Sequence, residues 1–420
     1  MAAPKLRFKE FDGDWNKNTI GNFVLNYKGG ASLTPADFVE YSDCEVIPKK
    51  AISSGGLLQL DKVVPTFCTL EFFNSNQNYI VDSEYLITTL RDLVPSGPSI
   101  GYIVKYESNK KYILAQGVYG FRIKNDLNRD FLIQFSNTSK FRLHMQSIMV
   151  GSTQVHIRNQ DYFSTELYTP SLLEQTKIAS FLSAVDEKIS QLTQKHELLS
   201  QYKQGMMQKL FSQQIRFKAD DGSEFGEWDF IELGTATDVT KLAGYEFTKH
   251  IVYKDSGNLI ALRGLNVKNN KLDLSDVKYI DDSDLKMLGR SKLYIDDLIF
   301  TYVGTIGDVA LIQENEKFYL APNVARIRAN KELLNPVYLL QYFNETSFRR
   351  NEIEKFIATS SQPALSMTNI RKFHIAKPCL DEQTKIANFL SAIDQKIEVV
   401  AQQIEQAKQW KKGLLQQMFV

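Results

Sequence analysis

One stretch of this 420-residue chain occurs twice. Residues 174–189 read EQTKIASFLSAVDEKI and residues 382–397 read EQTKIANFLSAIDQKI, which is 13 identities in 16 positions at a constant offset of 208. A self-match of that length and fixed spacing marks a tandem duplication, so the fold must be built from two similar units. The match continues through Tyr202-Lys203-Gln204-Gly205-Met206-Met207-Gln208 against Trp410-Lys411-Lys412-Gly413-Leu414-Leu415-Gln416 and closes on Phe211 and Phe419. Upstream, Pro170 pairs with Pro378, Ser152-Thr153-Gln154 pairs with Ser360-Ser361-Gln362, and NRDFLIQFSNTSKFR from Asn128 aligns with NPVYLLQYFNETSFR from Asn335. A third echo joins Arg7-Phe8-Lys9, Trp15 and Gly21 to Arg216-Phe217-Lys218, Trp228 and Gly234. Each unit therefore runs as opening segment, globular head and long helix: 1–19, 20–165 and 166–215 in the first, 216–233, 234–375 and 376–420 in the second.

The repeated segment has the spacing of a coiled coil. Apolar residues step by four and three through Ile178, Leu182, Val185, Ile189, Leu192, Leu199, Met206 and Leu210, interrupted by His196 and Lys203. The second copy gives Ile386, Leu390, Ile393, Ile397, Val400, Ile404, Ala407, Leu414 and Met418, interrupted by Lys411. Each stripe needs a partner. The simplest is the other copy, which predicts an intramolecular antiparallel coil, with a homodimeric coil as the alternative. About 38 residues at ~1.5 Å each make a rod of nearly 60 Å. His196 reads as a structural residue at the coil edge.

The heads carry short β-branched and aromatic runs such as Tyr112-Ile113-Leu114 and Asp297-Leu298-Ile299-Phe300-Thr301, separated by glycine turns. The expected fold class is α/β (α+β), two heads joined by two long helices with an internal pseudo-twofold repeat. Gly97-Pro98-Ser99-Ile100-Gly101 and Val303-Gly304-Thr305-Ile306-Gly307-Asp308 occupy matching places, either as plain hairpin turns or as points where backbone approaches a phosphate. Candidate nucleic-acid contacts near them are Ser99, Lys105, Lys110, Lys111, Arg122 and Lys124 in the first head, and Lys241, Arg263, Lys268, Tyr302, Thr305, Arg326 and Arg328 in the second. Ser152, Thr153 and Gln154, with Ser360, Ser361 and Gln362, are short hydrogen-bonding side chains suited to phosphates or base edges, or equally to capping turns.

Other functions find little support. At this length one core is too small a solution, and 43% hydrophobic with 24% charged residues is ordinary for a folded soluble chain. With 50 basic and 49 acidic residues there is no global pull toward phosphate, so a nucleic-acid site must be local. Cys44, Cys68 and Cys379 form no metal or disulfide spacing, the five histidines do not cluster, and no apolar run suggests export or a membrane span, which points to the cytoplasm. Asn335-Pro336-Val337-Tyr338 resembles the base-holding tetrapeptide of amino methyltransferases, but a helix start, with Asn335 as cap and Pro336 in the first turn, explains it more simply. Asp282-Ser283-Asp284-Leu285-Lys286 only loosely mimics a nuclease cluster, and no glycine-rich nucleotide loop occurs.

The doubled Glu-Gln-x-x-Ile-Ala-x-Phe-Leu-Ser-Ala-x-Asp from Glu174 and Glu382, the Lys-x-Gly at Lys203 and Lys411, and the Arg-Phe opening with its tryptophan resemble specificity subunits of type I restriction-modification systems over essentially the whole chain. The resemblance implies two target recognition domains, each reading half of a split site on double-stranded DNA, and helices that set the spacer. It implies docking of two methyltransferase subunits, here through Glu174, Gln175, Lys177, Phe181, Glu382, Gln383, Lys385 and Phe389, with restriction subunits added outside. It implies no catalysis, no metal and no cofactor on this chain, S-adenosylmethionine being expected on the methyltransferase. A drifted enzyme and a protein-binding scaffold are the competing readings.

Overall fold

A computed structural model describes residues 3–357 and 363–420. The chain divides into two units, Met1–Gln194 with Ala401–Val420, and Lys195–Val400. Both boundaries fall inside the long helices, Leu172–Phe211 and Leu380–Met418, of 40 and 39 residues. Each unit thus contains one head, the first part of the helix that follows it, and the last part of the other helix.

The helices pair antiparallel within the chain, the simpler of the two pairings that the stripes allow. In the first unit Ile178, Ala179, Leu182 and Val185 share a core with Leu414, Leu415, Met418 and Phe419, and with Trp15, Phe131 and Phe135 of the head. In the second, Met207 and Leu210 join Ile386, Ala387, Leu390 and Ile393 together with Trp228 and Tyr338. Each large side chain buried this way is worth about 1.5–3 kcal/mol, so the seam needs no second chain to cover it. Met207 is buried where the strict heptad names Met206, the drift expected of a 3.6-residue turn.

The lysines that interrupt the stripes are buried and paired. Lys203 reaches Asp394 at 2.7 Å, and Lys411 reaches Asp186 at 2.5 Å. Each aspartate also accepts a hydrogen bond from a head glutamine, Gln341 to Asp394 and Gln134 to Asp186, both 2.8 Å. One carboxylate in each unit therefore ties together the head, its own helix and the helix from the other copy.

Within each head the strands form the same four-stranded antiparallel sheet. In the first its order is Val24–Lys28, Val118–Ile123, Leu86–Thr89, Ile103–Val104, and in the second Thr237–Lys241, Val324–Ala329, Leu298–Thr301, Val309–Leu311. A smaller three-stranded sheet keeps a parallel pair in both, Val46–Ile47 with Tyr112–Leu114, and Ile260–Leu262 with Phe318–Leu320. Its third strand joins the later member of that pair in the first head and the earlier member in the second. A ribbon closes each head onto its opening segment, Asn16–Thr19 against Glu166–Thr169 and Asp229–Glu232 against His374–Lys377.

Asn335 and Asn128 are helix caps. Asn335 Oδ1 accepts from the backbone N–H groups of Val337 and Tyr338 at 2.9 and 3.2 Å, and Asn128 Oδ1 from that of Phe131 at 3.0 Å. Pro336 then occupies the first helical position, where no N–H is needed. No helix among the described residues is long and apolar enough to cross a membrane.

Candidate functional site

The opening segments and the helix starts, the two repeated motifs, are two halves of one clamp. Arg7 donates from Nε and a terminal nitrogen to the two carboxylate oxygens of Glu174 at 2.7 and 2.8 Å, while Phe8 packs edge-on to Phe181 and Lys177 faces Glu10. In the second unit Arg216 binds Glu382 in the same fork at 3.0 and 2.7 Å, Phe217 packs on Phe389, and Lys385 pairs with Asp220. Gln175 and Gln383 are buried as well, each accepting from the backbone N–H of the head's capping asparagine at 2.8 Å. Gln175 donates to the carbonyl of Pro170 and Gln383 to that of Pro378. The eight side chains expected to dock a partner subunit all have intramolecular contacts, and Lys177 keeps about half of its side chain exposed. Glu174, Gln175, Glu382 and Gln383 are turned inward, and a fork of two charge-assisted bonds requires that geometry. The two clamps differ at one point: Trp228 donates its indole N–H to Glu382 at 2.9 Å, whereas the buried Trp15 N–H has no partner among the described residues.

The glycine-bracketed turns and the Ser-Thr-Gln loop, separate in sequence, meet in the first head. Strand Arg91–Asp92 pairs antiparallel with Val155–His156, Asp92 opposite Val155, which places the segment leading to the turn at 97–101 and the exposed Ser152, Thr153 and Gln154 at the same end of one ribbon. Ser99 lies in that turn, its N–H 3.3 Å from the Asp92 carboxylate. In the second head the bridge Val303↔Ala364 makes the equivalent junction beside Tyr302, Gly304 and Thr305. Ser360, Ser361 and Gln362 lie outside the described residues. A buried threonine stands at the base of each turn, its carbonyl accepting from the N–H of Gly101 at 2.9 Å in the first head and of Gly307 at 3.0 Å in the second; the Thr301 hydroxyl also lies 2.5 Å from the Thr305 carbonyl, while that of Thr89 lies 2.9 Å from the carbonyls of Arg91 and Gly117.

A duplicated arginine completes each turn. Arg142 donates to the carbonyls of Ile100 and Pro98 at 2.6 and 3.3 Å, and Arg349 to those of Gly307 and Ile306 at 2.7 and 3.4 Å. Arg142 also stacks on Tyr102, 3.8 Å from its ring centre, and burial lowers its pKa from the ordinary guanidinium value. Neither residue was among the sequence candidates. The signal was present, because they are the final letters of the aligned segments that begin at Asn128 and Asn335.

Most of the candidate cations are neutralised within the chain. Lys105 pairs with Asp130, Lys110 with Glu45, Arg122 with Asp82 and Glu84, Arg263 with Asp276, and Lys268 with Asp273. Arg328 forms a fork with Asp297 at 2.6 and 2.7 Å, a hydrogen bond that raises its pKa. Arg326 is buried against Asp238 and the Arg290 carbonyl, an inward placement that leaves its charge with the sheet. Lys124 donates to the Asn22 carbonyl, Lys241 lies over the half-buried ring of Tyr302, and burial pushes the Tyr302 phenol up. Lys111 is exposed and has no ion pair among the described residues. The exposed Arg91 and His156 on the ribbon, and Arg158 at the helix start that follows, are likewise without side-chain partners among the described residues and were not among the sequence candidates.

Comparison with known proteins bears on what such a doubled fold is. Residues 13–201 and again 227–409 match the family described as type I restriction modification DNA specificity domain. The MjaVIII specificity subunit of a type I restriction enzyme from Methanocaldococcus jannaschii is 23% identical over 428 residues, covering 97% of this chain and 94% of that protein. The EcoKI specificity subunit of Escherichia coli K12 is 23% identical over 293 residues, covering 66% of this chain and 61% of that protein. The crystal structure of an S subunit from M. genitalium shares the fold with a TM-score of 0.60 at 15% identity, covering 100% of this chain and 99% of that one. A structure from a study of complex assembly and conformational transition in a type I restriction-modification system gives 0.52 at 14% identity, with 96% of each chain covered. With both copies matched and the duplicated fold shared, this chain belongs to the family of type I restriction-modification specificity subunits.

Proposed function

We propose that this chain reads DNA for a type I restriction-modification complex without catalysing a reaction itself. Each head recognises one half of a bipartite target, and the antiparallel helices fix the spacer between the halves. The observation that carries this is the unequal divergence of the copies: the helices and their clamps are nearly the same, while the heads keep one sheet and differ in sequence, in turn and in the placement of a strand. Equivalent clamps suit two equivalent partners, which are two methyltransferase subunits that carry the S-adenosylmethionine, with restriction subunits joining outside them. Different heads suit two different DNA words, so the target is asymmetric.

A head alone discriminates about three to five base pairs, each good contact being worth ~1–3 kcal/mol. Two heads on one chain add their discrimination, provided both meet the duplex at a compatible phase of about 10 base pairs per turn. Replacing residues 20–165 with the head of another specificity subunit, and mapping methylated sites with the partner subunits present, is expected to change one half-site only. A change in both halves refutes the modular reading, and methylation of DNA by the isolated chain refutes the absence of catalysis. Inserting a heptad in each helix is expected to lengthen the spacer, and an unchanged spacer refutes the ruler.

A further inference from the structure

The ribbon of the first head and the helix start that follows it carry two arginines and a histidine that nothing among the described residues neutralises. Arg91 lies directly opposite His156, and Arg158 follows two residues later, exposed at the start of the helix Asn159–Phe163. This sets them apart from Lys105, Lys110 and Arg122, whose charge is taken up by carboxylates. Only a cation free of such a partner has its full charge to offer to nucleic acid. The adjacent acid, Asp92, is turned to the backbone N–H groups of Val94 and Ser99 at 3.1 and 3.3 Å.

Arg91 is also held in place. Its carbonyl accepts from the buried Thr89 hydroxyl at 2.9 Å, and its aliphatic stem lies over Gly117, where an added Cβ would stand 3.0 Å from Arg91 Cβ and 3.3 Å from its Cδ. Gly117 has φ +86°, so a side chain there would be doubly disfavoured, and the glycine leaves the space that the arginine stem fills. The guanidinium thus extends from a fixed base. Beside it the loop that follows exposes Leu93 and Val94, and the facing loop exposes Ser152, Thr153 and Gln154. A two-stranded ribbon fits the major groove, where a guanidinium fork matches the O6 and N7 acceptors of guanine and apolar side chains meet the thymine methyl.

We propose that Arg91 is a specificity-determining residue of the first head, its fork taking a guanine edge in the major groove while Arg158 and the loop at 151–154 hold the adjoining phosphates. The inference rests on the DNA-reading function argued above. The matching cross-strand pair of the second head is Val303 opposite Ala364, which has no such fork, so the contact belongs to one half-site alone.

The test uses the full chain reconstituted with its methyltransferase subunits, with methylation mapping and binding to duplexes carrying each single base change. In Arg91→Ala, discrimination at one guanine of the first half-site is expected to fall roughly ten- to a hundredfold, with the second half-site unchanged. Arg91→Lys keeps the charge but not the fork and is expected to leave that position relaxed. An unchanged target in Arg91→Ala overturns the proposal, as does a uniform loss of affinity that lysine restores, which would make Arg91 a phosphate contact. A wild-type complex without sequence preference overturns instead the DNA-reading function on which the proposal rests.

Discussion

Replacing Glu382 with alanine is expected to destabilise the second unit by more than Glu174→Ala destabilises the first, although the two glutamates are sequence duplicates. Both are almost fully buried, with side-chain exposures of 1% and 2%, and both take an arginine fork. Removing one member of a buried pair costs about 3–5 kcal/mol because the other charge is left without a partner. That figure falls here, because Arg216 is 22% exposed and keeps the Gly226 carbonyl, and Arg7 is 16% exposed and keeps those of Gly13 and Asp12. About 2–4 kcal/mol is left for either arginine. Only Glu382 also serves the Trp228 N–H, and an orphaned buried donor adds roughly 1–3 kcal/mol. The expected losses are thus about 2–4 kcal/mol for Glu174→Ala and about 3–7 for Glu382→Ala. Peptide-resolved hydrogen exchange measures the opening free energy of each unit separately, which a two-unit chain requires. Equal losses, or a larger one for Glu174→Ala, would show that the indole bond contributes nothing and that the asymmetry has been misread.

Arg142→Met and Arg349→Met are each expected to speed amide exchange in the turn they support, at 97–101 and 304–307 respectively, by roughly tenfold or more, since two charge-assisted bonds are lost and burial refunds little; exchange unchanged from wild type refutes the bracing role. Among the cysteines, alkylation at neutral pH is expected at the exposed Cys379, while Cys44 and Cys68 stay unmodified until the chain unfolds. Burial raises the Cys68 thiol to about 11, so the reactive thiolate is scarce below that pH and grows as pH rises toward it; modification of Cys68 as fast as Cys379 at pH 7 counts against a closed first head.

The duplication was legible as a self-match at a fixed offset, and the helical stripes and asparagine caps because they depend on spacing within a few turns of chain. The meaning of the interrupting lysines was not, since Lys203 is answered by Asp394 and Lys411 by Asp186, residues 191 and 225 positions away. The same distance hid the clamp: Arg-Phe and Glu-Gln motifs were visible as two repeats, but that Arg7 answers Glu174 is a fact of tertiary packing. The pairing of the candidate cations was equally out of sight. Choosing basic residues near glycine turns selected Arg122 and Arg328, whose acids lie 40 and 31 positions away, and passed over Arg91, which has none. Whether a cation is free to act cannot be read from its neighbours in sequence.

The joint between head and coil decides what an exchanged head must retain. In the first unit Asp186 takes both Gln134 from the head and Lys411 from the other copy's helix, so the three groups form one network. A network held by one shared carboxylate is non-additive: once Lys411 is gone, Asp186 turns toward solvent and Gln134 loses a charged acceptor. Gln134→Leu and Lys411→Met, singly and together, are expected to show a coupling of roughly 0.5–3 kcal/mol in the opening of the first unit. The double variant should therefore lose less than the two singles combined. Additivity within about 0.3 kcal/mol would mean that the head rests on the coil through its apolar core alone. Coupling would mean that an incoming head needs glutamine at this place, as both native heads have in Gln134 and Gln341, together with asparagine six residues before it, as in Asn128 and Asn335. They are among the positions at which otherwise diverged heads have stayed alike, and they face the duplicated helices rather than the solvent edge of the sheets.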